Sequence, residues 1–290
     1  MPQISTTGQL ENASREMIGK ARYTAEFNAP IYATVSHFTL KQGEDTGVFP
    51  KVGQMSMANL TEGQDITTEQ DIGLTSVSVT TGEVGAKVVL TDKLLRQNVA
   101  ANWQMVGRQL GDGYRRKREE DLRDLFSALN GGTTLGAAGA AFSAANATGV
   151  VSIAKTNRYG DDLVIVHHPN AVMRLARDLS TIGSGQMRPL PEGYSSRLLG
   201  KAWSGYKIWD VPVFETGNIT RDASDDAIGA IYNPDAMGIL ESKSYSQERQ
   251  RSAPTRAWLL VVVADYAAFE LDDTRGAPLT YDAVNPSTSA

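Results

Sequence analysis

The sequence predicts an α+β protein, and three observations carry that prediction. Apolar residues recur at helical spacing between Leu95 and Leu129. Strand-like runs flank that stretch at 72–90 and 258–271, and between them lies a module in which short strands and helices alternate. The chain is organised around residues 90–130. Thr91 can cap a helix, Asp92 suits the positive end of its dipole, and Leu95, Val99, Trp103, Val106, Leu110 and Tyr114 follow at intervals of three and four. The stripe lapses at Arg118, resumes at Leu122, Leu125, Phe126 and Leu129, and stops at Gly131-Gly132. One helix of about eleven turns, or two nearly collinear ones, would span about 60 Å. Such a rod has to lie across something broad, and the flanking strands are placed to pack under it.

Composition excludes several classes. At 290 residues and 41% hydrophobic, the chain can build one elaborate domain or two ordinary ones. Without cysteine there is no disulfide, no thiolate metal site and no cysteine nucleophile, which fits assembly in a reducing cytoplasm. No signal-type segment opens the sequence, and its longest apolar run, at 258–269, is too short and too interrupted to cross a bilayer, so a soluble protein is expected. A net charge of −5 argues against sequence-specific reading of nucleic acid, which leaves a strongly basic face.

In chain order, residues 1–8 read as a flexible end, and 10–27 as a helix-bearing arm with Leu10, Ala13, Met17, Ala21 and Ala25 on one side. Asn28-Ala29-Pro30 breaks it. Residues 31–40 fit a helix through Ile31, Val35 and Phe38, or a strand through their β-branched content; the helix is preferred. Residues 48–52 and 72–90 read as the two sides of a long hairpin, with Val77 and Val79 alternating, then Val84, Ala86, Val88 and Leu90. Its tip, 53–71, is rich in Gln, Thr, Ser and Met. From Val52 through Ala86 there is no Lys or Arg, only Glu62, Asp65, Glu69, Asp71 and Glu83. An arm of one charge sign either is a solvated loop or seeks a partner of the other sign.

The helix holds the complement, Arg115-Arg116-Lys117-Arg118, followed by Glu119-Glu120-Asp121. Pairs four apart, Arg115 with Glu119, Arg116 with Glu120 and Lys117 with Asp121, would make the run a solvated face. The sharper alternative makes Arg115, Arg116 and Arg118 receptors for the acidic hairpin of a neighbouring copy. Gly107, Gly111 and Gly113 each cost the helix about 1 kcal/mol against Ala, which nominates them as a hinge.

Beyond the helix, 131–149 is an Ala/Gly-rich passage of turn character. Residues 161–166 form a buried-type strand, His167-His168-Pro169 a turn, and 170–179 a helix with Val172, Leu175, Ala176 and Leu179 on one side. Residues 180–191 read as a loop, 206–214 and 227–232 as strands, Asn233-Pro234-Asp235 as a short helix start, and 238–241 as a strand. Residues 245–254 read as a polar connector and 258–271 as the longest strand; from Gly276 the pattern weakens into tail.

Catalytic, cofactor and metal motifs are missing: there is no phosphate loop, no dinucleotide glycine pattern after a strand and no serine elbow. Adjacent His167 and His168 in a strand point to opposite faces and cannot share a metal unaided. Asp272-Asp273 lacks the alternating oxygen ligands of a calcium loop, and Asp222, Asp225 and Asp226 read as solvated. No catalytic, cofactor-binding or metal-binding residue is assigned.

An arm, a long hairpin with the tip Leu60-Thr61-Glu62-Gly63-Gln64, a strand ending Val88-Val89-Leu90-Thr91-Asp92 at a long helix, an α/β module and a late returning strand: this order resembles the major capsid proteins of tailed double-stranded DNA bacteriophages, the Hong Kong 97-type fold. The resemblance covers about residues 25–281 and rests on organisation. It implies an N-terminal arm at 1–45, an extended hairpin loop at 46–90 reaching over an adjacent subunit, and a spine helix of the peripheral domain at 91–131. An axial domain at 132–243, a return to the peripheral domain at 244–281 and a flexible tail at 282–290 complete it. It further implies a virion protein, assembled in the host cytoplasm into pentamers and hexamers of an icosahedral head, that meets a portal protein and packaged DNA, the latter weakly and without sequence preference. Two departures matter. The chain lacks a long charged N-terminal extension, so a separate scaffolding protein is expected, and the lysine-free stretch 52–86 argues against covalent cross-linking through the loop. A decoration protein is left open, and no membrane partner is expected. An encapsulin-like compartment is the alternative within the fold. An α/β enzyme using His167 or His168 and a β-rich adhesin are alternatives from other classes, the last disfavoured by the helix.

Overall fold

The computed structural model describes residues 29–53, 55, 57, 59, 62–63, 71, 73–97, 101–182 and 207–286. Alternating β-formers at 82–91 and 257–270 produce the two longest partners of a four-stranded sheet. Its members are β1 (Ser36–Thr39), β4 (Gly82–Thr91), β10 (Met237–Ser252) and β11 (Ala257–Glu270), in the order β1-β10-β11-β4. Leu260, Val262, Ala264 and Tyr266 are buried on one face of β11, as the two-residue period requires, while Leu259, Val261 and Val263 on the other face stay half-exposed.

The buried face carries the long helix. It forms α1 (Asp92–Gln97) and α2 (Ala101–Asp124), with 98–100, and so Val99, outside the described residues. β4 runs directly into it: Thr91 is the last residue of the strand, and the Asp92 N–H donates to the Arg256 carbonyl. At 24 residues α2 spans about 36 Å, shorter than the rod expected from the stripe. The chain then tightens into the 3-10 turns Leu125–Ser127 and Leu129–Gly132. Asn130, Gly131 and Gly132 take left-handed φ values of 55°, 59° and 77°, and this is how the helix ends where the glycine pair placed its stop. Leu122, Phe126 and Leu129 of the stripe are buried.

The hairpin expected from the sequence is β2 (Thr46–Lys51) against β3 (Thr75–Thr80), registered from Thr46↔Thr80 to Lys51↔Thr75. Its returning side breaks at Thr81; β4 beyond belongs to the four-stranded sheet.

The second sheet has six strands in the order β5-β12-β9-β6-β8-β7, formed by β5 (Leu135–Ala141), β6 (Val164–His167), β7 (Lys207–Ile208), β8 (Val211–Glu215), β9 (Asp226–Tyr232) and β12 (Gly276–Asp282). Helices α3 (Ala144–Thr156) and α4 (Pro169–Ile182) cover it, over a core that includes Phe142, Tyr159, Ile165, Leu175, Leu279 and Tyr281.

Several expectations change. Residues 31–40 are a 3-10 turn, Tyr32–Thr34, followed by β1, not a helix; parallel register with β10 from Ser36↔Gly238 to Thr39↔Glu241 decides for the β-branched content. The Ala/Gly passage holds β5 and α3. Ser143 caps α3 by accepting from the Asn146 N–H at 3.2 Å, and Ala147, Val150, Val151 and Ala154 make its buried stripe. The polar connector at 245–254 is strand to Ser252, because backbone pairing with β11 leaves its side chains free to be polar. The tail from Gly276 is β12, buried between β5 and β9. Met237 onward therefore already lies in the four-stranded sheet, while Gly276–Asp282 lies in the six-stranded one, so the boundaries 132–243 and 244–281 do not coincide with the two sheets. The arm helix at 10–27 and most of the loop at 180–191 fall outside the described residues.

Candidate functional site

Among the described residues the most distinctive surface is the hairpin. Val48, Val52, Met55 and Leu74 are more than half exposed there, and Met57 is fully exposed. In the isolated chain these large apolar side chains meet solvent. The hairpin leaves the body at a defined joint. Phe49 stacks on Phe269 with ring centroids 4.7 Å apart and meets Phe38 at 4.6 Å, and the Lys51 ammonium pairs with Asp272. That cation and two bonds from Thr274 hold the Asp272 carboxyl below the usual carboxylate range despite its burial. Glu62 and Asp71 are exposed near the tip, Asp71 accepting from the Gly73 N–H at 3.2 Å; Asp65 and Glu69 fall outside the described residues.

The basic run on α2 divides between two faces. Arg115 and Arg116 are exposed, Arg116 lying 3.9 Å from Glu120, and Lys117 pairs with Asp121, as the four-residue spacing suggested. Arg118 turns inward, which corrects its nomination as a receptor for a neighbour. Its guanidinium lies over the rings of Tyr32 and Tyr114, at 3.6 and 4.5 Å, and donates to Glu241 at 3.2 Å. Glu119 does not pair with Arg115 either. It sits three and seven residues before Leu122 and Phe126, on the core stripe, and is fully buried. Its two carboxylate oxygens accept from the N–H groups of Ile31 and Tyr32 at 2.9 and 3.1 Å. Burial pushes its pKa up, more than those two bonds and Arg118 bring it down. The helical wheel could have found this residue; its acidic neighbours hid it.

Of the hinge candidates, Gly107, Gly111 and Gly113 all lie within continuous α2. A methyl group at Gly111 or Gly113 would meet nothing within 4 Å, and one at Gly107 would touch Gln247 at 3.6 Å.

His167 is fully buried in β6, its ring 5.6 Å from that of Phe142. Its Nδ1 accepts from the His168 N–H at 2.9 Å, leaving Nε2–H to donate to the Leu279 carbonyl at 3.2 Å. Burial lowers its pKa to about 4, so the ring is neutral at physiological pH. β9 passes so close that a side chain at Gly229 would lie 2.4 Å from the imidazole. Asp226, expected to be solvated, is buried and accepts from the Gly139 N–H at 2.7 Å, tying β9 to β5. A cavity of about 310 Å³ between Phe126, Ile219 and Ile228 is rimmed by Arg123 and Arg221. Arg123 is paired with Asp124 and Arg221 with Asp225. Among the described residues no cluster could hold a metal ion, and no helix is long and apolar enough to cross a membrane.

No family model matches the chain, and no curated protein is similar to it in sequence. Solved structures are similar throughout its length. The capsid of cyanophage P-SCSP1u aligns over 92% of both chains with a TM-score of 0.67 and 14% identity. The head of Helicobacter pylori bacteriophage KHP40 aligns over 91% of this chain and 93% of its own, with a TM-score of 0.67 and 11% identity. The SrpI encapsulin of Synechococcus elongatus PCC 7942 aligns over 96% and 98%, with a TM-score of 0.65 and 11% identity. The chain has the Hong Kong 97-type capsid fold.

Proposed function

We propose that this chain is the major capsid protein of a tailed double-stranded DNA phage, a subunit that tiles an icosahedral head. The observation that carries the proposal is the rooted hairpin: an apolar, acid-tipped ribbon held at a set angle on a body whose whole length follows the capsid fold. In a lone molecule that apolar surface stays in water, whereas in a shell each copy covers the next, and many modest contacts add up to a strong container. Head-to-tail contacts would close into pentamers and hexamers.

The acidic tip, Glu62 and Asp71 with Asp65 and Glu69, would face Arg115 and Arg116 of a neighbour. Gly107, Gly111 and Gly113 would let α2 bend as the shell changes form. A separate scaffolding protein, a portal and, on the outside, a decoration protein are the expected partners, with the chain residing in the virion after assembly in the host cytoplasm. A net charge of −5 fits an inner surface that meets DNA weakly, since tight phosphate binding would retard packing. No catalytic role is proposed for His167 or His168. The likeness to the SrpI encapsulin supports a second reading, a cellular compartment of the same fold.

Expression with and without the product of the upstream gene, followed by sedimentation and imaging, tests the proposal. Closed particles are expected, and a stable monomer under all conditions would refute it. Particles that package a protein cargo and never DNA would favour the compartment. Charge reversal at Glu62 and Asp71 should block assembly, and reversal at Arg115 and Arg116 should restore it.

A further inference from the structure

The chain has ten tyrosines and no cysteine, so no thiol competes with its phenol rings for a one-electron oxidant. Three of the tyrosines, Tyr114, Tyr245 and Tyr266, meet where α2 crosses the four-stranded sheet. Tyr114, Arg118 and Asp121 are spaced four and three apart and share one stripe of the helix. Tyr245 comes from β10 and Tyr266 from β11. The ring centroids of Tyr114 and Tyr245 lie 5.4 Å apart with the planes tilted by 42°, and those of Tyr114 and Tyr266 lie 5.9 Å apart and nearly perpendicular, at 76°.

Regular alternation is not what presents Tyr245. The register of β10 with β11 shifts between Lys243 and Ser246, so Ser244 and Tyr245 have no ladder partner on β11. An irregularity of this kind re-aims a side chain, and such bulges recur beside functional groups. Here it brings Tyr245 onto Tyr114. Both rings are half-buried, close-packed yet within reach of a small oxidant. Their aromatic neighbours are otherwise engaged: Tyr266 is buried and its hydroxyl donates to Asp121 at 2.7 Å, and the Arg118 guanidinium covers the ring of Tyr32.

We propose that Tyr114 and Tyr245 form an oxidative cross-linking site, at which a peroxide-class oxidant joins the two rings by a carbon–carbon bond and fastens α2 to β10. Each phenol gives up one electron and its hydroxyl proton and becomes a neutral phenoxyl radical. The radicals couple at the ring carbons adjacent to the oxygen-bearing carbons, and the proton on each coupled carbon moves to that ring's oxygen, which restores both phenols. The two electrons cleave the O–O bond of the oxidant, and the two hydroxyl protons pass to its oxygens or to water. Because the fold holds the rings together beforehand, coupling within one molecule outruns coupling between molecules.

The test treats the intact chain, dilute and unassembled, with persulfate activated by visible light through a ruthenium tris-bipyridyl complex. The violet emission of dityrosine is expected, from a chain that still runs at monomer size under denaturing conditions. Trypsin should release 109–115 joined to 244–249, lighter than the two peptides by one hydrogen atom from each. Tyr114→Phe and Tyr245→Phe keep the rings and should each abolish both signals, whereas Tyr266→Phe should leave them in place. The linked chain should also unfold at a higher urea concentration, since the bond closes a loop across 114–245 in the unfolded chain. Emission that survives Tyr245→Phe, linkage only between molecules, or no dityrosine from the native chain would overturn the inference. Should either Phe variant not fold, the tryptic map of the parent decides alone: 109–115 joined to 244–249 supports the site, and a product joining Tyr114 to any other tyrosine, or no joined product, refutes it.

Discussion

The guanidinium of Arg118 lies 3.6 Å from the centroid of the Tyr32 ring, so the first turn of the described chain is pinned to the C-terminal part of the long helix. The Tyr32 hydroxyl and Arg118 share the Glu241 carboxylate, and Glu119 beside them takes the backbone N–H groups of Ile31 and Tyr32. A buried carboxylate thus does for this turn what a capping side chain does for a helix.

Removing it should be costly. Glu119→Ala strands one buried and one part-buried N–H group and is expected to lower unfolding free energy by about 3 kcal/mol, read by urea titration of the unassembled chain. Glu119→Gln should cost less and also change the pH response. Because burial raises the Glu119 pKa in the fold, the folded chain holds that proton more tightly than the unfolded chain. The contribution is fully present below the unfolded value of 4.5 and is lost as pH rises through the folded value; Glu119→Gln should abolish that dependence.

His167 acts with the opposite sign. Its pKa is depressed from 6.5 to about 4 by burial, so the stability it contributes is present above pH 6.5 and drains away as pH falls toward 4. The total is about 3 kcal/mol. Stability curves of the parent and of His167→Gln, measured across that window, should differ in slope; parallel curves would refute the assignment.

Phe49→Ala should loosen the hairpin without unfolding the body. Losing contacts to Phe38 and Phe269 costs about 1–2 kcal/mol. Proteolysis within 46–80 should therefore quicken about tenfold, while the midpoint of thermal unfolding barely moves.

Gly111→Ala and Gly113→Ala place methyl groups in open space. Each should stabilise α2 by up to about 1 kcal/mol, raising the melting temperature by a few degrees. If these glycines are a hinge, the same variants should assemble but stall before any change of particle form. Variants that change form like the parent would leave the glycines without that role.

The sequence made the frame legible where period and punctuation agree. The stripe through Leu122, Phe126 and Leu129, the glycine stop and the apolar run of β11 appear where their spacing placed them, while the hairpin pairs only as far as Thr80. Misreadings arose where polarity stood in for topology. β10 is polar beyond Glu241 because it is an edge, and edges resemble loops in composition. β12 holds too few large apolar residues to announce itself, yet its neighbours on both sides bury it. α3 was hidden by alanines and glycines, although Ser143 and the spacing of Ala147, Val150, Val151 and Ala154 signalled it. In the candidate interface, charge along α2 was visible, but which arginine faces outward depends on Tyr32 and Glu241, remote in sequence from Arg118.

Phe49 rests on Phe269 at the seam where ribbon leaves body, so the direction in which a molecule reaches is decided inside its own fold before a second molecule arrives. Units that reach at one set angle trace an arc, and arcs repeated along two directions enclose a volume.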